Sequence, residues 1–323
     1  MRSTDVNRTI QSVQSQLTGF YPPGTGPKFK KTFRTEEAIP PFKNGDFDVD
    51  ELGKDVLPGE IQPIPIHIEG NDVLLHGEDF CPAIEKLAKQ QKESELYERF
   101  NDEFRDFFNV VARVVNDSDV SKLKITKVAK YASDLYCDRA EQNPLPEGLS
   151  DDVWKTMTFL KELETQYVDV GHEMQRRLLA THFFNLISLN LNKKIQNDPN
   201  FKLKYIMLSA HDSTLSPFMA ALNLTSWQCV YQRFKNASLD AFDNCVQGHP
   251  LFASQIIIEL HSKEKKGEKQ FHVKLLYNGE KMNLCQKKSH KCEWKEFDAR
   301  LKSYVVDNWE ETCAGEENRS FLA

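Results

Sequence analysis

His211 and Asp212 stand together where a short apolar run, Lys204-Tyr205-Ile206-Met207-Leu208-Ser209, gives way to a helical pattern bearing Leu215, Phe218, Met219 and Leu222. The order strand, loop, helix puts an imidazole and a carboxylate just ahead of a helix N-terminus. Free backbone N–H groups and a partial positive charge favour anions there. A protonated His211 is able to donate to a phosphate oxygen, and Asp212 to pass a proton to a leaving group. Taken alone, the dipeptide is more simply explained by Asp212 capping the helix.

Arg2, in Arg2-Ser3-Thr4-Asp5, precedes a second helical pattern. The planar fork of arginine suits bidentate contact with phosphate. An arginine beside Met1 carries no functional meaning by itself.

Together these pieces resemble a family. Arg2-Ser3-Thr4-Asp5-Val6-Asn7-Arg8-Thr9, followed by the break at Phe20-Tyr21-Pro22-Pro23, is similar to the Arg-Ser-Thr-Asp segment of the histidine acid phosphatases. Gln62-Pro63-Ile64-Pro65-Ile66-His67, Cys81-Pro82, Leu135-Tyr136-Cys137 and Ser209-Ala210-His211-Asp212-Ser213-Thr214 resemble its later landmarks, in the same order. The resemblance runs from residue 2 to about residue 313. It implies an α/β fold of the phosphoglycerate-mutase-like (histidine phosphatase) type, a sheet flanked by helices with a helical insertion. It also implies hydrolysis of phosphate monoesters through a phosphohistidine, which splits one difficult displacement into two easier ones. Carried over, Arg2 and His211 bind phosphate and Asp212 is the general acid. A neutral carboxyl donor and a charged imidazole both fit an acidic working pH. No cofactor and no metal are expected, and the substrate is a small phosphomonoester of open identity. Homodimers occur in the family, with no face assigned here.

One landmark does not occur. The family nucleophile lies in Arg-His-Gly-x-Arg at the end of the first, central strand, and no Arg-His-Gly exists in these 323 residues. His76-Gly77 follows Leu75 and lies downstream of Arg2, so His76 reads as a loop residue. His67, His172, His182, His249, His261, His272 and His290 match no catalytic landmark and read as structural. The expectation is therefore a chain without its nucleophile and without its first central strand, with two unpaired sheet edges and an exposed apolar slot. Such a chain, made alone, is expected to fold poorly and not to turn over phosphomonoesters. The competing expectation is a short product that binds a phosphorylated ligand or a partner protein without catalysis.

The elements that must position these residues follow from periodicity. Val6, Ile10, Val13 and Leu17 recur at helical spacing, with Asp5 as cap. The chain is then loop-rich to about residue 80, around Pro40-Pro41 and Pro58-Gly59, except for a strand over Ile61–Ile68. From Cys81 to about Asn197 it is helical. Leu96, Phe100, Phe104, Phe107, Phe108 and Val111 form one buried stripe, and Leu178, Leu179, Phe183, Leu186 and Ile187 another. Ala253–His261 and Gln270–Tyr277 read as strands around a charged turn at Gly267, followed by a helix from Glu293 to about Val306 and then loop. The division expected is 1–80 as part of the α/β core, 81–197 as helical insertion and return helix, and 198–323 as the remaining core.

A net charge of -6 argues against a nucleic-acid partner. No run approaches the roughly 18–20 apolar residues needed to span a bilayer. The N-terminus lacks the apolar region of a signal peptide, whereas Asn-x-Ser/Thr sites at Asn7, Asn116, Asn223, Asn236 and Asn318 and seven cysteines point to the secretory route, lysosomal or extracellular. A missing N-terminus is the reading that reconciles them. The family resemblance implies Cys81 paired with Cys313 and Cys285 with Cys292. Cys229 and Cys245 bracket a polar loop and pair most simply with each other, leaving Cys137 odd.

Overall fold

The structure, a computed structural model, describes residues 1–28, 61–285 and 289–314. Pro40-Pro41, Pro58-Gly59 and the Asn318 site lie outside them. The fold is α/β with a helical insertion. It divides into two units, Met1–Asn71 with Leu203–Ala210, and Asp72–Lys202 with His211–Ala323. Residues 72–80 pack inside the second unit: Leu75 is fully buried, and Gly77 lies against Leu179.

In the first unit, β1 (Arg2–Ser3) runs parallel between β2 (His67–Ile68) and β3 (Leu208–Ser209). Arg2 stands opposite both His67 and Leu208. The strand expected over Ile61–Ile68 is reduced to its last two residues, since Pro63 and Pro65 have no N–H to give a ladder. Ile64 and Ile66 still pack with Val13, Leu17 and Met207. Leu203, Tyr205 and Ile206 remain exposed. Helix α1 (Asn7–Phe20) is not capped by Asp5: Val6 is its N-cap and no side chain bonds there. Thr9, inside the first turn, turns its hydroxyl back toward Val6 as a donor and caps no free N–H. Its Oγ1 lies 2.8 Å from the Val6 carbonyl oxygen and 2.8 Å from Thr4 Oγ1. The buried face is accordingly Thr9, Val13 and Leu17.

The second unit opens with α2 (Pro82–Lys92), α3 (Glu95–Glu103), α4 (Arg105–Val114), α5 (Ile125–Ala140), α6 (Asp151–Glu164) and α7 (Glu173–Ile195). The aromatic stripe expected on one helix spans two, because the chain breaks at Phe104. Phe100, Phe104, Phe108 and Val111 still meet in one core with Ile125, Leu160 and Leu163. Helix α7 faces two cores. Leu178 packs with Cys81, Ile84 and Trp309, while Ala180 and Phe184 pack with Met219, Leu275 and Phe297. That double role explains why the single stripe read from the sequence omitted Phe184.

After α8 (Asp212–Ala221) and α9 (Trp227–Phe234), β4 (Ile256–Lys265) and β5 (Glu268–Tyr277) form a ten-rung antiparallel hairpin. The charged run is therefore mostly strand. Only Lys266 and Gly267 turn, both at positive φ, as a two-residue hairpin requires. Strands β6 (Glu280–Lys281) and β7 (Cys292–Glu293) both pair with β5. Helix α10 (Trp294–Tyr304) follows. The chain then forms α11 (Trp309–Ala314) where loop was expected, anchored by buried Trp309 and by Cys313.

Candidate active site

His211 is the extended N-cap residue of α8, so Asp212 is the first helical residue and not the cap. The His211 N–H donates to Thr214 Oγ1 at 3.3 Å, and that hydroxyl donates to the Leu75 carbonyl oxygen at 2.8 Å. The tie brings in the next residue, His76, whose ring centroid lies 4.8 Å from that of His211. His76 lies in loop, as read; it precedes a 3-10 turn over Gly77–Phe80 and sits 3.7 Å from Asp79.

On the other side, His249 Nε2 lies 3.2 Å from Asp212 Oδ2. Sequence reasoning missed this contact because nothing local marks His249. The Asp212 side chain is 52% exposed, against 14% for His249. A half-open carboxyl held by a largely buried imidazole can meet a ligand from solvent while staying oriented.

The loop before His249 is fixed at successive residues. Cys245 is disulfide-bonded to Cys229, and Arg233 Nη1 donates to the carbonyls of Cys245 and Val246. The Val246 N–H donates to the Leu224 carbonyl, and the Thr225 hydroxyl to the Val246 carbonyl at 3.0 Å. Gly248 donates its N–H to Glu162 Oε2 at 2.9 Å and accepts from the Gln166 amide at 2.6 Å. Glu162 is also paired with Arg233. A side chain at Gly248 would meet Val230 Cγ2 at 2.7 Å and Gln166 Cγ at 2.9 Å, so only glycine admits this approach.

Burial pushes the His249 imidazole down to about 4, with Lys161 adding to the effect and Asp212 opposing it. Burial also lowers the Lys161 ammonium, against the pull of Asp212, Cys137 and Asp134. Asp169 reaches solvent but is crowded by protein. That crowding, then Glu164, pushes its carboxyl up to about 7, with Asp212 acting in the same sense.

Arg2, in the first unit, lies at the start of β1 with its guanidinium 2.7 Å from Glu69. Cys81 is bonded to Cys313, and Cys285 to Cys292, while Cys137 is exposed and unbonded. Among the described residues, the one His/Cys/Asp/Glu group compact enough for a metal is Cys285, Cys292 and Glu296. Its two sulfurs are already joined to each other.

Residues 1–278 match the histidine phosphatase superfamily (branch 2). The chain belongs to that family. It is 26% identical over 319 residues to a lysosomal acid phosphatase of Xenopus laevis, covering 97% of this chain and 62% of the relative. It is 27% identical over 230 residues to a prostatic acid phosphatase of Bos taurus, covering 69% and 51% respectively. The chain thus spans between half and two thirds of the length of these histidine phosphatases. Within the family frame, His211-Asp212 sits at the head of α8 with two histidines around it that no family landmark marks.

Proposed function

We propose that this protein is an acid phosphatase of the secretory route, lysosomal or extracellular, acting on small phosphate monoesters. His211 and the head of α8 bind the phosphoryl group, and Asp212 protonates the leaving oxygen. The observation that carries the reading is the half-exposed Asp212 carboxyl, held by His249, at the start of a ten-residue helix. A helix N-terminus favours the phosphoryl anion, and a positioned carboxyl contributes typically 10²–10⁴-fold as general acid. Phosphate binding by Arg2 rests on the family resemblance of its own segment. Three disulfides among the described residues, and the similarity to a lysosomal and a prostatic acid phosphatase, support the secretory assignment. Among the described residues no helix is long and apolar enough to cross a membrane.

The resemblance assigns the phosphohistidine to an Arg-His-Gly-x-Arg segment, and that motif does not occur in the 323 residues. The second reading is a product that binds a phosphorylated ligand without turning it over. One experiment separates them. The protein is purified from its own cells and assayed with p-nitrophenyl phosphate at pH 5, alongside phosphate binding by calorimetry. Turnover that falls with His211→Ala, and with Asp212→Asn for an alkyl phosphate assayed in parallel, supports the enzyme. Phosphate binding weakened by His211→Ala, with no turnover in any preparation, supports the binder and overturns the enzyme.

A further inference from the structure

We propose that His249 is a positioning residue for Asp212: its Nε2–H holds Oδ2, leaving Oδ1 to deliver the proton to the leaving oxygen. The inference rests on the reading of Asp212 as the general acid.

The tautomer follows from burial. His249 Nδ1 is buried and has no hydrogen-bond partner among the described residues. A proton placed there would be a buried donor without an acceptor, which leaves its desolvation uncompensated. A proton on Nε2 finds Asp212 Oδ2 at 3.2 Å, and the bare lone pair left on Nδ1 is the cheaper deficit. The ring therefore points its N–H at the carboxyl.

The charge state follows from the surroundings. The charged groups facing His249 are Lys161 from α6 and Asp212 from α8; Asp169, from the turn after α6, acts on the carboxylate itself. Burial and Lys161 keep the imidazole neutral to about pH 4. At an acidic working pH it is a neutral donor with a fixed direction, not a competing acid.

The placement is built from elsewhere. Residues 245–248 are held by a disulfide, Arg233, Thr225, Glu162 and Gln166. None of these contacts uses the imidazole of His249. The polar contact the imidazole makes is to Asp212, so the loop is organised to present the ring and is not held by it.

The step balances without His249 changing its protonation. As the bond between phosphorus and the leaving oxygen breaks, the Oδ1 proton passes to that oxygen. Asp212 is left as a carboxylate with Oδ2 accepting from Nε2–H. A donor aimed at charge that develops during the reaction stabilises the transition state more than the ground state.

Two readouts test this, on variants expressed from the gene in its own cells. The first is ¹⁵N NMR of the imidazole. The expected result is an Nε2-protonated ring titrating near 4, moved lower still in Asp212→Asn because the opposing carboxylate is gone. An Nδ1-protonated ring, or no response to Asp212→Asn, overturns the inference. The second is leaving-group dependence. Alkyl phosphates need a proton on the departing oxygen far more than p-nitrophenyl phosphate does. His249→Phe should lower kcat for an alkyl phosphate about tenfold, with KM and the p-nitrophenyl rate little changed, and His249→Gln should restore much of it. If Asp212→Asn discriminates between the two leaving groups and His249→Phe does not, His249 has no such role and the general acid stands. If Asp212→Asn itself does not discriminate, the general acid falls and this inference with it.

Discussion

The Thr214 hydroxyl donates to the Leu75 carbonyl oxygen at 2.8 Å across 139 residues of sequence. One end of this bond is the turn that carries His211, and the other is the residue before His76. Thr214→Val keeps the shape and removes the donor, leaving a buried carbonyl unpaired. The expected loss is about 1–3 kcal/mol, read from urea unfolding. Phosphate affinity should fall with it, because the His76 and His211 rings lose their common anchor. An unchanged affinity would show that their 4.8 Å approach has another cause.

Stability should respond to pH through two opposed groups. The folded pKa of His249 is depressed from 6.5 to about 4, so the unfolded chain binds the proton more readily. Its contribution is complete above 6.5 and is lost as pH falls toward 4, by on the order of 3 kcal/mol. Asp169 is raised from 3.8 to about 7. Its contribution is complete below 3.8 and is lost as pH rises to about 7, although its access to solvent reduces the size. Over the shared window the two slopes offset each other. His249→Phe should therefore give a protein that loses stability as pH rises from 4 to 6.5, and Asp169→Asn one that gains it. Parallel profiles for the wild type and both variants would refute the assignment.

Gly248→Ala tests the loop. The new methyl group meets Val230 and Gln166 at less than 3 Å, and overpacking of this kind costs about 1–3 kcal/mol. We expect a lower Tm and a His249 imidazole that titrates nearer its ordinary value as the ring gains solvent. A large fall in Tm with His249 unmoved would mean that the backbone absorbs the strain elsewhere.

The disulfides should differ in worth. Cys81–Cys313 closes a separation of 232 residues, whereas Cys285–Cys292 closes 7. Loop-closure entropy grows with length, so losing the first should cost about 5 kcal/mol and losing the second roughly half that. Paired serine variants, compared by denaturant midpoint, check the ranking. Equal costs would indicate that the unfolded chain already holds α2 and α11 together.

The sequence made the local features legible. The switch from an apolar run to helical spacing at Leu208–Leu215 marks the His211-Asp212 turn, and charge around Gly267 marks the hairpin. Features that depend on distant partners were not legible. His249 stands 37 residues beyond Asp212 in a polar loop without periodicity, and its position comes from Glu162 and Gln166 on another element. His76 became relevant only through Thr214. Helix α11 looked like loop because what stabilises it, burial of Trp309 and the bond to Cys81, lies outside its own segment. The capping of α1 went astray for the converse reason. Asp5 has the right side chain, but the helix starts one residue later, with Val6 in the cap position.

The last turn after α6 has a consequence for how this protein tolerates change in length. Val170 donates to the carbonyl of Thr165, five residues back, which is the spacing of a π turn and the mark of a single extra residue in an α-helix. Deleting one residue within Thr165–Asp169 should let the helix relax to ordinary winding. Each residue turns an α-helix by about 100°, so the Gln166 amide would swing away from the Gly248 carbonyl. A frame-preserving deletion far from His249 in sequence would then unseat it, while most substitutions in the same five residues would not.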